Sequence, residues 1–315
     1  MARIKQGIFS WEDVLAQRYQ NNKPTALPRT RRSSSAQQGQ RASQPQSQQQ
    51  QQQKPDTRGE WAFQGDSALL AKLSPELRMA IWELVQGGMR IHIVQRANRR
   101  MGHVVCPSRD GVLACEICQG GLPSATKAAS RRTTPTTTAT TTTTTTTTGL
   151  LALALTCKQI YTESIYTLYT LNTFEFSNTW SLTYLRPTIP ADFWDAIRAV
   201  ELRWAFPGHW LPSKDPVKTV YFAAGRQQWL ETCQAVTRMR SLQTFTLQLP
   251  CSWFGEPVEK LPLFLEPLRG LHLPRRRWTL QLPRQPYYVQ EVGNIDGELR
   301  ERGIECCVWA VGEGR

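Results

Sequence analysis

From about Ala191 onward the chain alternates between helical and strand-like segments, and this alternation constrains the fold more than any other feature of the sequence. Residues 193–199 read as a short helix leading into the strand VELRW at 200–204. A long helical stretch over 217–239 leads into TFTLQL at 244–249. Residues 261–271 follow as a helix, WTLQL at 278–282 as a strand, and residues 306–311 as the last strand. Strands that alternate with helices imply a parallel sheet built from right-handed crossovers and covered on at least one side. The strands are unevenly spaced, which fits an irregular, leucine-rich-repeat-like array better than a strict repeat. Such arrays commonly present a surface to a partner.

Upstream, the pattern is α+β. In LSPELRMAIWELV, residues 73–85, Ser74 suits an N-cap and Pro75 the first turn, where no amide donor is needed. Glu76 complements the helix dipole, and Gly87 with Gly88 supplies the stop. Leu77, Ile81 and Leu84 or Val85 then form one apolar stripe. RIHIV at 90–94 and HVVC at 103–106 read as a β-hairpin around a basic turn. Residues 150–171 carry helical spacing with Cys157, Ile160, Ile165 and Leu168 inward, and TFEF at 173–176 is a compact alternating strand.

Two tracts lack the apolar residues needed to offset the entropy of ordering. Residues 21–60 are rich in Gln, Ser, Pro and Arg and are expected to be disordered, and residues 122–149 are expected to form a flexible Thr-rich insertion. The predicted organisation is therefore a short amphipathic helix at 1–20, a tail at 21–60, a helix-and-hairpin unit at 61–121, the insertion at 122–149, and an array at 150–315 completing one globular domain. The formal net charge is +13. Nearly all of it lies ahead of residue 151, which argues against a basic face on the array itself. No apolar run approaches the ~20 residues of a membrane span. Eight cysteines without a secretory signal read as reduced thiols, which points to cytosol or nucleus.

The spacing His103, Cys106, Cys115, Cys118 supplies the four nitrogen and sulfur ligands of a tetrahedral zinc site, with one Cys-x-x-Cys pair. Strand alternation works against that set, because residues three apart on a strand face opposite ways. His92 reads as a half-buried strand residue with a satisfied hydrogen bond. No glycine-rich phosphate loop, nucleophile elbow or His-Glu-x-x-His metal motif is present, so the expectation is a non-enzymatic protein. A cluster at Arg29, Arg31 and Arg32 leaves a nucleic-acid-associated nuclear role, with a basic arm and a zinc knuckle, as the alternative.

Leu73, Glu76, Leu77 and Ile81 match the first helix of an F-box, which the stretch resembles. Ser74 stands where proline is usual, with Pro75 beside it, and Trp82 where a smaller aliphatic is usual. The resemblance implies a substrate receptor of a cullin ubiquitin ligase, with Leu73, Leu77, Ile81 and Trp82 contacting a Skp1-type adaptor and the array contacting the target protein. The segment LALTCKQIYTES with LY and NTF after it, together with IHIV, looks like a filamentous-fungal family of unknown function. In that family an F-box-like helix, a hairpin and a TCRQIY-type segment precede an α/β tail. This resemblance covers residues 69–282 and implies architecture rather than chemistry. In this chain the hairpin and insertion separate the first helix from the Cys157 segment, so the decisive matter is whether the hairpin covers the apolar stripe.

Overall fold

The computed structural model describes residues 66–96, 100–107, 150–176, 180–204, 216–249, 260–282 and 292–310, with residues 26 and 115. The chain runs through α1 (Ala68–Ala71), α2 (Pro75–Gln86), β1 (Arg90–Arg96), β2 (Arg100–Val105), α3 (Lys158–Thr170) and β3 (Thr173–Phe176). It continues through α4 (Ser181–Leu185), α5 (Ala191–Ala196), β4 (Ala199–Arg203), α6 (Pro216–Thr237) and β5 (Thr244–Gln248). The last elements are α7 (Leu261–Leu265), β6 (Trp278–Leu282), α8 (Val292–Glu301) and β7 (Cys307–Ala310). The result is a mixed α/β fold around one seven-stranded sheet.

The strand order is β2-β1-β3-β4-β5-β6-β7. Only β1 and β2 pair antiparallel, as the predicted hairpin; every other neighbouring pair is parallel. After the hairpin β3 adds beside β1 and each later strand beside its predecessor, and successive crossovers of one hand place their helices on the same face of the sheet. Period-two alternation sorts the strands accordingly. Phe174, Val200, Leu202, Phe245, Leu247 and Leu280 point into one continuous core. There they meet Leu168, Leu182, Trp229, Val236, Phe264 and Leu299 from the helices. Of the tryptophans expected inside, Trp194, Trp204, Trp229 and Trp278 are buried. The opposite face carries Glu201, Arg203, Thr246, Gln248, Thr279 and Gln281, all half-buried.

Several boundaries differ from expectation for identifiable reasons. The helix predicted from residue 150 begins only at Lys158, because the Cys157 thiol accepts from the Ile160 amide at 3.5 Å and caps it; residues 150–155 are turns. Cys157 is consequently half-buried rather than inward, while Ile160, Ile165 and Leu168 are buried. Helix α7 stops at Leu265 and tightens into a 3-10 turn over Glu266–Leu268, where Pro267 lacks the amide an α-helix requires. No strong sequence signal marks α4, only five residues long, or α8, which carries Gly293 and Gly297. The predicted helix at 1–20, the tail at 21–60 and the insertion at 122–149 lie outside the described residues, Ala26 apart. No helix among the described residues is long and apolar enough to cross a membrane.

Candidate functional site

Helix α2 forms as its sequence dictates. The Ser74 hydroxyl accepts from the Leu77 amide at 3.5 Å, Pro75 occupies the first turn, and Glu76 lies beside it. The same hydroxyl is the largest influence holding the Glu76 carboxyl below its ordinary pKa. At the other end Gly87 donates to the Glu83 carbonyl at 2.9 Å, and Gly88 takes φ +68°, a conformation open to glycine.

What the helix buries is unexpected. Its inward side is Arg78, Trp82 and Gln86, one residue on from Leu77, Ile81 and Val85 and therefore about 100° further round. The cause is α3, which presents Glu163. Arg78 donates to both carboxylate oxygens, Nε to Oε2 at 3.0 Å and the terminal nitrogen to Oε1 at 2.8 Å, a two-pronged charged geometry. The Trp82 indole donates to the same carboxylate at 3.3 Å and Gln159 at 3.1 Å. Arg78 also ties down the carbonyls of Leu73 at 2.7 Å and Leu70 at 3.3 Å. The hydrogen bonds from Arg78 hold the Glu163 carboxyl below its usual range, and the reciprocal bond raises Arg78.

A second fastening closes the other end. Asn172, 1% exposed, donates to the carbonyls of Gln86 at 2.6 Å and Leu168 at 2.8 Å and accepts from the Met89 amide at 2.8 Å. It thereby joins the C-termini of α2 and α3 to the start of β1.

The apolar stripe is left outside. Leu84 is 81% exposed, Leu77 and Val85 are each 56%, and Ile81 and Leu73 are half-buried. The hairpin does not cover it. Of the four residues expected to face an adaptor, Trp82 is displaced: it is 1% exposed, on the α3 side, where its indole N–H has an acceptor.

The expected metal ligands also regroup. Pairing of His92 with Val104, and of Ile93 with His103, sends His92 and His103 to opposite faces of the hairpin. His103 lines an apolar cleft of about 630 Å³ with Ile91, Met101, Leu168 and Tyr169. Cys106 and Cys115 lie on the other face, where the histidine beside them is His92. Ligand atoms of His92, Cys106 and Cys115 lie within 4.8 Å of one another, and all three residues are buried. His103 is therefore not part of the set, because the strand period forbids it, and Cys118 lies outside the described residues. None of the six cysteines among the described residues is in a disulfide.

No curated protein and no solved structure matches the chain. Residues 62–302, which span α2, the hairpin and every strand up to β6, match the family described as Domain of unknown function (DUF7730), and the chain belongs to that family.

Proposed function

We propose that the protein is a non-enzymatic interaction module, an F-box-like substrate receptor in which α2 docks a Skp1-type adaptor and the leucine-rich-repeat-like succession of strands and helices presents a target surface. The observation that carries this reading is the inverted packing of α2: hydrogen-bonding side chains and Trp82 face the core, while Leu77, Leu84 and Val85 face outward. An apolar stripe on a helix already fastened from behind suits helix-to-groove recognition. The docking set is accordingly Leu73, Leu77, Ile81, Leu84 and Val85, without Trp82. Covering an exposed leucine contributes about 1.5–3 kcal/mol, so placing a charge at one such position should weaken association by tenfold or more.

The test is recovery of purified Skp1-type adaptor by the immobilised full chain. Leu77→Asp and Ile81→Asp should abolish recovery while the thermal midpoint of Leu77→Asp stays near that of the wild type, since Leu77 is solvent-exposed. If the wild-type protein never retains the adaptor, the receptor reading fails.

A further inference from the structure

On the sheet face away from the helical core, at the hairpin edge, four chemically active groups converge. His92 sits on β1 opposite Glu175 of β3, and the parallel register places the two side by side. The His92 Nδ1 lies 2.5 Å from Glu175 Oε2, and His92 and Glu175 are 0% and 2% exposed. A carboxylate only accepts, so Nδ1 donates to it and Nε2 is the ring nitrogen that faces the thiols. That nitrogen is 3.4 Å from Cys115 Sγ. Cys106, whose amide donates to the Arg90 carbonyl across the hairpin, brings a second sulfur to the same point, and Val94 and Val104 pack round the thiols.

We infer that His92 Nε2, Cys106 Sγ and Cys115 Sγ hold a zinc ion, oriented from behind by Glu175. The 3.4 Å separation is close to the edge of about 3.6 Å that tetrahedral bonds of 2.3 Å to sulfur and 2.0–2.1 Å to nitrogen require. A carboxylate on the remote nitrogen of a metal-bound imidazole is the usual supporting arrangement, fixing both tautomer and ring direction. Metal binding releases the two thiol protons to solvent, and the two thiolates balance the dication. Cys115, His92 and Glu175 also stand in the order of nucleophile, base and orienting acid. A nucleophile, however, needs substrate access, and the Cys115 side chain is buried beside a second thiol that such chemistry does not use. The three protein ligands leave a fourth position for water, and their burial fits an ion that fastens Cys115 to the edge formed by β1 and β2.

The experiment is metal analysis of the purified full chain, followed by chelation and titration with zinc and then cobalt(II). One zinc per chain is expected, and cobalt should give the visible bands of a tetrahedral site with thiolate charge transfer. His103→Ala should retain both, whereas His92→Gln, Cys106→Ser and Cys115→Ser should lose them. Glu175→Gln should keep the cobalt spectrum but lower affinity by about 10–100-fold, as expected of a positioning residue. In case a ligand variant fails to fold, the wild type supplies its own check. Cys106 and Cys115 should resist alkylation until chelation, and the thermal midpoint should fall on chelation and recover with zinc. Protein that binds neither metal stoichiometrically, loses the site in His103→Ala, or shows rapid alkylation of Cys115 alone as purified would overturn the assignment.

Discussion

Two side chains of the NTF and TES stretches determine how α2 sits, and neither advertises it by hydrophobicity. Asn172 satisfies two carbonyls and one amide at the junction of α2, α3 and β1. Asn172→Asp replaces two donors with acceptors facing carbonyl oxygens, and a loss of about 2–4 kcal/mol is expected in urea unfolding. Glu163 offers a pH signature. Because Arg78, above all, lowers its folded-state pKa, the stability it contributes is present above the unfolded-state value of about 4.3 and is lost as pH falls through the lower folded-state value. Glu163→Gln should therefore cost about 1 kcal/mol at neutral pH, allowing for the carboxylate's partial exposure, and the gap to wild type should narrow as the solution is acidified below the unfolded-state value. A gap that does not depend on pH would mean the carboxylate's charge is irrelevant. His92 and Glu175 were legible only in part. Each is a lone polar residue inside an apolar strand, in IHIV and TFEF, but their adjacency depends on a register between strands with the α2-to-α3 insertion between them.

At the scale of elements, local chemistry was readable wherever it was local. The cap at Ser74, the stop at Gly87 and the hairpin follow from residues within a few positions of one another. The face on which α2 packs does not, because its partner Glu163 lies 85 residues away from Arg78 and the binary pattern of α2 points to the other side. The tightness of that packing can be probed at Gly87, where an added Cβ would lie 2.6 Å from the Glu83 carbonyl oxygen and 3.2 Å from the Leu171 side chain. Gly87→Ala should lower stability by about 1–3 kcal/mol. Gly270→Ala, with nothing within 4 Å of the new methyl, should leave the urea midpoint almost unmoved. If the two variants behave alike, close approach at the α2 terminus is not what the glycine provides.

For the molecule as a whole, alternation of helix and strand was enough to infer a largely parallel sheet, whereas the strand order required the pairing itself. The helical core is continuous from Ile91 to Cys306, so calorimetry of the full chain should give one principal transition, with backbone and aromatic circular dichroism changing together. Trp229 is the best lever on it, being 0% exposed, stacked on Phe264 at 4.3 Å between centroids and donating to the Phe264 carbonyl at 2.7 Å. Trp229→Ala should lower stability by about 3–5 kcal/mol by both probes, and separated transitions would mean that the sheet divides into independent units.

The fork from Arg78 to Glu163 has one more consequence. Contacts between greasy surfaces tolerate sliding and rolling, but a bidentate ion pair assisted by Trp82 fixes the rotation of α2 about its own axis. A partner gripping Leu77 and Leu84 would thus meet a preorganised ridge, and association would forfeit little backbone freedom. Trimming those leucines should then shorten the lifetime of the complex far more than it slows encounter.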